Sequence, residues 1–260
     1  MNHIAKSFVS SDGRVYRSHS WESREGGYRR TAILVGNGAW PVETEKKLVG
    51  FLIDRGFRVL SLELAFGAPQ LPRARLGSFR LAIADFVKEA TPIGLPVYVL
   101  ASSFSGSALA PTAETLQGIA ALALISPVVE FPPPKLKSPL FFLPSTQLEV
   151  QREDQSGLPE LLDGFQASTV TLRFSKRDLK EAAADLKRVL DDKVAIPAAA
   201  FAGEDDPWLS QAGRLGLSAA GVKVYSYPRV RREPGHDRYA DNFYADLGSF
   251  LDEVEAKKNG

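Results

Sequence analysis

The chain has 260 residues, a formal net charge of +1 and no cysteine. This length suits one large α/β domain or two small ones, and the near-zero charge gives no electrostatic case for nucleic acid or an anionic membrane as the main partner. The lack of cysteine excludes disulfides and thiolate catalysis. The polar N-terminal segment has no signal-peptide core, and no segment approaches the roughly 20 apolar residues of a transmembrane helix. We therefore expect a soluble, cytoplasmic protein with no integral membrane part.

The chain opens with a predicted antiparallel hairpin over Phe8–Tyr16, and short apolar runs then alternate with helical patterns. Helices are predicted over Val42–Arg55, where Gly56 is the C-terminal stop, and over Leu76–Ala90. The apolar runs are nearly continuous, which is typical of strands covered on both faces. Six strands are predicted in this way: Thr31–Val35, Arg58–Leu62, Val97–Ala101, Ile119–Ile125, Ile196–Phe201 and Val222–Tyr227. The alternation predicts an α/β fold with a mostly parallel central sheet and helices on both faces.

The rhythm breaks between residues 127 and 194, where prolines interrupt an apolar stretch. The segment is too apolar for a linker and too broken for a regular βαβ unit, and an irregular excursion packed on the main core is the plainer interpretation. Long insertions in compact domains are usually functional, so we predict an inserted cap or lid over 127–194, with an amphipathic helix over Asp178–Leu190. The core would then comprise 1–126 and 195–260.

The run Val97–Ala101 ends in Ser102-Ser103-Phe104-Ser105-Gly106, a cluster of small residues around one phenylalanine. A serine at a sharp strand-to-helix turn needs small residues two positions before and after it, because strand and helix backbones pass close together there. Ala101 and Ser105 fill those positions around Ser103, in a degenerate form of the G-x-S-x-G nucleophile elbow. Ser105 is a rival, but the apolar run ends at Ala101, which favours a turn at Ser103.

A serine nucleophile needs a base, and histidine suits this role because its pKa lies near neutral pH. Of the three histidines, His3 lies in a terminus expected to fray and His19 in the polar opening segment. His236 follows the last predicted strand, in a loop at the sheet edge where sites of open α/β folds gather. We therefore choose His236 as the base.

The acid that orients the base is sought at the end of another strand, where Gly203-Glu204-Asp205-Asp206-Pro207 follows an apolar run. Asp206 is our choice, with Asp205 as the alternative and a helix N-cap as the purely structural interpretation. Ser103, Asp206 and His236 then occur in the chain order of α/β-hydrolase triads.

Two backbone N–H groups are candidates for an oxyanion hole, that of Ala39 after the first core strand and that of Phe104 beside the nucleophile. The same Gly36-Asn37-Gly38 turn also begins a dinucleotide-binding G-x-G-x-x-G fingerprint, with Glu63 placed as its ribose carboxylate. The third glycine would fall on Pro41, which disfavours this nicotinamide-enzyme alternative. A hydrolase fold that has no activity and serves as a binding module is a third possibility.

With these residues in view, the chain resembles the α/β-hydrolase superfamily over nearly its full length. Within that superfamily it is most similar to the acyl-carrier-protein thioesterases, or acyl-transferases, of bacterial bioluminescence. The similar parts surround the three triad candidates: Leu100 to Ser105, Ala202 to Leu209, and Val224 to Tyr227 leading to His236-Asp237, followed by Asn242-Phe243-Tyr244. The resemblance implies release of a fatty acyl group from a thioester carried on acyl carrier protein or coenzyme A. Gly235 before His236 and the proline-rich cap depart from the family.

The sequence therefore predicts a serine hydrolase that cleaves an ester or thioester of a carboxylic acid through an acyl-serine, without cofactor or metal. Apolar cap residues would favour an acyl chain, and we assign Phe141, Phe142, Leu143 and Trp208 to substrate binding. A carboxylesterase on small esters is the nearest alternative. Hydrolysis against acyl transfer, chain-length preference and oligomeric state stay open.

Overall fold

An eight-stranded sheet forms the centre of the computed structural model, which describes residues 1–36, 45–64, 76–91, 94–103, 106, 118–129, 145–151, 169–175, 194 and 196–259. The strands lie in the order β1-β2-β4-β3-β5-β6-β9-β10. Their bounds are β1 Asn2–Val9, β2 Val15–Glu22, β3 Arg30–Val35, β4 Phe57–Glu63, β5 Val97–Ser102, β6 Ile119–Ile125, β9 Ala198–Gly203 and β10 Lys223–Tyr227. β1 and β2 pair antiparallel, β2 pairs antiparallel with β4, and every later pair is parallel. The predicted mostly parallel sheet is confirmed.

Two further strands, β7 (Ser145–Gln151) and β8 (Thr169–Ser175), pair antiparallel in a separate two-stranded sheet. Both lie inside the segment 127–194 for which a cap is predicted. The helix predicted over Asp178–Leu190 lies outside the described residues.

Helices cover both faces of the sheet, and the strands divide their side chains between two cores. The helices are α1 (Lys46–Asp54), α2 (Leu76–Ala90), α3 (Gln211–Ala219) and α4 (Ala240–Asn259). On β3, Ile33 and Val35 join the core that contains α2 and α3 residues, while Ala32 and Leu34 join the core that contains α1 and α4 residues. This alternation with a period of two explains why the strand sequences are apolar throughout.

The element boundaries follow local backbone chemistry. Gly56 follows the end of helix α1, and its positive φ of 77° and its N–H bond to the Ile53 carbonyl (2.8 Å) confirm the predicted stop. Strand β9 begins at Ala198, two residues later than predicted, because Pro197 has no N–H to give to a ladder. His3 is not frayed as expected: it lies in β1 opposite Trp21, and its ring stacks on those of His19 and Trp21.

The strand order of this sheet differs from that of the dinucleotide-binding fold, which was the alternative prediction. In the six-stranded dinucleotide fold the third parallel strand lies beside the second. Here the third, β5, pairs with β3, the first. Glu63, the proposed ribose carboxylate, has its Oε2 3.5 Å from His19 Nε2, while Asn37, Gly38 and Pro41 lie outside the described residues.

Candidate active site

Ser103 lies directly after β5 in a strained turn at the carboxyl edge of the sheet. Its φ is +57°, the left-handed region that costs a residue with a side chain roughly 1–2 kcal/mol. Its N–H donates to the Ile125 carbonyl at 2.8 Å, which ties the turn to the end of β6. A Cβ on Gly106 would lie 3.2 Å from the Leu124 side chain and 3.4 Å from the Ala101 carbonyl. This crowding is the physical reason for small residues around the turn, and Ser105 lies outside the described part of the chain.

Asp206 follows β9 at the same edge and is 5% exposed, whereas Asp205 is exposed. Its Oδ1 accepts a hydrogen bond from the Trp208 N–H at 2.9 Å. Burial raises the pKa of Asp206, and the nearby Arg232 opposes that rise. The helix N-cap is supplied by another residue, because Ser210 Oγ accepts from the Gly213 N–H at the start of α3. The buried position of Asp206 favours it over Asp205.

The group that joins Ser103 to Asp206 is an arginine. Arg232 lies in the loop after β10 and is 1% exposed. Its Nη2 donates to Ser103 Oγ at 2.6 Å, and its Nη1 lies 3.3 Å from Asp206 Oδ1. The structure therefore brings together two of the three predicted triad residues, Ser103 and Asp206. The residue that joins them, Arg232, is not a member of the predicted triad.

Further contacts fix the guanidinium from several sides. Arg232 Nη2 also donates to the Ser126 carbonyl at 3.2 Å, and the Ser126 hydroxyl donates to the Arg232 carbonyl. The guanidinium carbon lies 4.0 Å from the centroid of the Trp208 ring, a cation–π contact. Trp208, predicted to bind substrate, thus packs on Arg232. A charge this deeply buried needs such partners, since an unpaired one carries a large desolvation penalty.

His236 ends a short 3-10 helix, Pro234–His236, and its N–H donates to the Glu233 carbonyl at 2.9 Å. Within the described ranges, no hydrogen bond joins His236 to Ser103 or Asp206, and Asp206 instead contacts Arg232 and Trp208. Burial, with a smaller effect of Lys47, lowers the pKa of His236. The imidazole is therefore neutral at pH 7 and able to accept a proton.

A pair of buried carboxyl groups lies beside the loop that carries Arg232. Burial and the neighbouring Glu233 raise the pKa of Glu45 to about 8. Glu45 and Glu233 are 9% and 5% exposed. Burial, followed by these two carboxylates, also raises the pKa of Tyr244. Buried carboxyl groups therefore lie near the site, and one of them, Glu45, keeps its proton to a higher pH than usual. No sequence motif indicated this pair.

Several predicted site residues cannot be compared with the structure. The oxyanion candidates Ala39 and Phe104 and the cap residues Phe141, Phe142 and Leu143 lie outside the described residues. Among all the residues that the structure describes, no group of three or more His, Cys, Asp or Glu side chains could hold a metal ion. The described helices include none that is long and apolar enough to cross a membrane.

Arg232 is not among the predicted site residues because a base was expected there, and histidine is the side chain that suits this role near neutral pH. The available signal was its position: Arg229, Arg231 and Arg232 stand in a short loop directly after β10, where the parallel strands end. A basic residue at that edge is a candidate to face the end of β5.

Comparison with solved structures shows an α/β-hydrolase fold. Paleococcus ferrophilus monoacylglycerol lipase is 15% identical with a TM-score of 0.71, covering 98% of this chain and all of that one (100%). A thermostable carboxyl esterase from Bacillus coagulans, bound to glycerol, is 17% identical with a TM-score of 0.73, covering 98% and 99%. A soluble variant of Saccharomyces cerevisiae monoglyceride lipase, bound to a substrate analogue, is 13% identical with a TM-score of 0.76, covering 98% and 95%. No family model and no curated protein sequence matches the chain.

Proposed function

We propose that this protein hydrolyses an ester or thioester of a carboxylic acid through an acyl-Ser103 intermediate. The observation that carries the proposal is the strained turn of Ser103, at the end of β5, with its Oγ linked through Arg232 to Asp206. Strain of this kind persists where the surrounding structure over-determines it, and it is concentrated at functional sites. The α/β-hydrolase fold places such a serine at the sheet edge where a substrate can meet it.

In the proposed reaction, Ser103 Oγ attacks the substrate carbonyl while its proton passes to a base. The tetrahedral intermediate collapses, the carbon–oxygen or carbon–sulfur bond of the substrate breaks, and the leaving alcohol or thiol takes up the proton. Water then attacks the acyl-serine in the same way, releasing the carboxylic acid and restoring the hydroxyl. The backbone N–H groups of Ala39 and Phe104 are proposed to bind the oxyanion.

His236 is proposed as the base and Asp206 as the acid of the site. Ser103 Oγ accepts a hydrogen bond from Arg232, so the proton of the hydroxyl itself stays available to a second group. The lowered pKa of His236 keeps its imidazole unprotonated at neutral pH. In the described arrangement Asp206 contacts Arg232 and not His236, so the imidazole would act without the help of Asp206. That arrangement predicts a slow enzyme.

The finer substrate assignment is also a proposal. The resemblance to bioluminescence thioesterases supports a fatty acyl thioester on acyl carrier protein or coenzyme A, in a cytoplasmic setting. The two monoacylglycerol or monoglyceride lipases among the similar structures support an oxygen ester of a fatty acid equally well. The predicted cap residues Phe141, Phe142 and Leu143 would line the acyl pocket in either case.

The test is labelling with a fluorophosphonate probe, followed by mass mapping of the adduct, on wild type and Ser103→Ala. Slow labelling confined to Ser103, and lost in the variant, is expected. A panel of acyl esters and thioesters of increasing chain length then addresses the substrate, and a preference for acetyl would contradict a fatty acyl group. Labelling that persists in Ser103→Ala would remove Ser103 as the nucleophile.

A second candidate function, acyl binding without turnover, is favoured by one specific observation. The side chain between Ser103 and Asp206 is a guanidinium, which stays protonated throughout the physiological pH range and cannot accept the serine proton. Thermal stabilisation by a fatty acid or a non-hydrolysable acyl ether, with no Ser103 labelling after prolonged exposure to the probe, would favour this candidate.

A further inference from the structure

We propose that Arg232 occupies the place of the general base between Ser103 and Asp206 and thereby restrains the nucleophile. This inference rests on the proposed acyl-serine function and states how that site is regulated. It makes Arg232 a positioning residue, which acts on the reaction through Ser103 and Asp206.

A base that serves a nucleophilic serine must lie within hydrogen-bond reach of its oxygen and must itself be held by an acid. Only Arg232 meets both conditions among the described residues, at 2.6 Å from Ser103 Oγ and 3.3 Å from Asp206 Oδ1. The guanidinium fills the gap that an imidazole would need.

An arginine at this place cannot act as the base. Arginine carries five N–H donors and no acceptor, and it is not deprotonated in proteins. Its bond to Ser103 can only be donated, so the serine oxygen gives up a lone pair there and keeps its proton. The contact orients the hydroxyl without activating it.

Arg232 also occupies the acid of the site. Asp206 Oδ1 is engaged by the guanidinium and by the Trp208 N–H. Any base elsewhere, His236 included, then works without Asp206 to set its tautomer and stabilise its charged form. In a serine protease, loss of that carboxylate function lowers the rate about 10⁴-fold.

Several partners keep the Arg232 side chain in place. Arg232 is held by Asp206, by the Ser126 carbonyl and by the Trp208 ring, and its own carbonyl accepts from the Ser126 hydroxyl. Withdrawing one member of a buried ion pair leaves the other uncompensated and is strongly unfavourable. The guanidinium therefore does not leave the site by local fluctuation alone.

The experiment measures the second-order rate of fluorophosphonate labelling in wild type, Arg232→His and Arg231→His. In this reaction the Ser103 oxygen bonds to phosphorus, fluoride leaves and the serine proton passes to the base. Arg232→His should label about 10²- to 10⁴-fold faster than wild type, the range that a positioned general base supplies. The rate should rise with pH through the titration of the new imidazole, and this inflection should remain when His236 is also replaced by Gln, which a merely structural role of residue 232 would not produce.

Arg231→His is the matched control, because it makes the same replacement at the exposed neighbouring position, and it should label at the wild-type rate. Arg232→Gln removes the guanidinium without supplying a base, and it should label at least about tenfold more slowly than Arg232→His. Circular dichroism and thermal unfolding establish which variants are folded.

A further variant tests the same inference without requiring that a histidine side chain at position 232 reach Ser103. Arg232→Ala opens the space between Ser103 and Asp206 to small molecules, and added imidazole should accelerate labelling with saturation. Added guanidinium should restore thermal stability and give no acceleration, because it refills the space with a group that cannot accept a proton.

The outcomes separate this inference from the function on which it rests. Rapid wild-type labelling at Ser103, equal to that of Arg232→His, would overturn the restraint and leave the acyl-serine function standing. No labelling in any folded variant, with or without imidazole, would overturn both. Equal rates for Arg232→Gln and Arg232→His would also overturn the inference, since a base at position 232 would then make no difference.

Discussion

Among the glycines that the structure describes, Gly203, the last residue of β9, is the position where an added methyl group should be most destabilising. A Cβ there would lie 1.9 Å from the Val230 carbonyl oxygen and 2.2 Å from that of Arg231. Real Cβ atoms essentially never come within 3.0 Å of another heavy atom, and both neighbours are backbone rather than flexible side chains. The loop that carries Arg232 crosses Gly203 at this point, so Gly203→Ala must push that loop away from the sheet.

The expected loss of stability follows from what the displacement breaks. The loop is held by hydrogen bonds from the Glu204 N–H to the Tyr227 carbonyl (2.9 Å) and from the Asp205 N–H to the Val230 carbonyl (3.0 Å). Each contributes about 1 kcal/mol net, and overpacking costs about 1–3 kcal/mol more. We therefore expect Gly203→Ala to lower the free energy of unfolding by about 3–5 kcal/mol, measured by urea titration.

Gly50→Ala is the matched control. Gly50 lies inside α1, and a Cβ there would meet nothing within 4 Å, so alanine should stabilise the protein by about 0.5–1 kcal/mol through helix propensity. A loss below about 1 kcal/mol in Gly203→Ala would refute the reasoning, because it would mean that the loop can yield without breaking its contacts.

Three further predictions concern the site and its surround. Burial and Glu233 raise the pKa of Glu45 to about 8, so the folded protein keeps a proton that the unfolded chain releases above about pH 4.5. Stability should therefore fall between pH 4.5 and 8, by up to about 1.4 kcal/mol per pH unit, and urea titrations of Glu45→Gln should lack that slope. Burial lowers the pKa of His236, so wild-type probe labelling should reach half its maximum below pH 6.5, with no such inflection in His236→Gln. Ser103→Gly should be about 1 kcal/mol more stable than Ser103→Ala in thermal unfolding, because glycine relieves the left-handed strain that alanine keeps.

The sheet and its helices could be predicted because their signal is local. The continuous apolar run of β3 and the helical spacing of α2 are each visible in consecutive residues, and Leu76–Ala90 is the observed extent of the helix. The turn at Ser103 was also predictable, since the apolar run of β5 ends one residue before Ser102. In each case the residues that decide the structure are neighbours in the chain.

The partner of Ser103 could not be predicted in the same way. Arg232 is 129 residues away from it, and nothing in a stretch with three arginines indicates which one is buried. His236 was predicted because an imidazole is a suitable base. In the structure, however, the side chain that contacts Ser103 at the end of β5 is that of Arg232. The buried Glu45 and Glu233 pair was invisible for a related reason, since it joins the start of α1 to the loop after β10.

The contacts of Arg232 explain how one side chain can both stabilise the fold and restrain Ser103. Ser103 follows β5, Ser126 follows β6 and Asp206 follows β9, and a guanidinium from the loop after β10 contacts all three. Ser103 and Ser126 both have positive φ, so the arginine stabilises two strained turns at once. The same bonds that hold these strand ends together take the serine lone pair and the aspartate oxygen out of the reaction. Stability and reactivity are therefore opposed at this residue, and variants that speed the labelling of Ser103 should be those that loosen the carboxyl edge of the sheet.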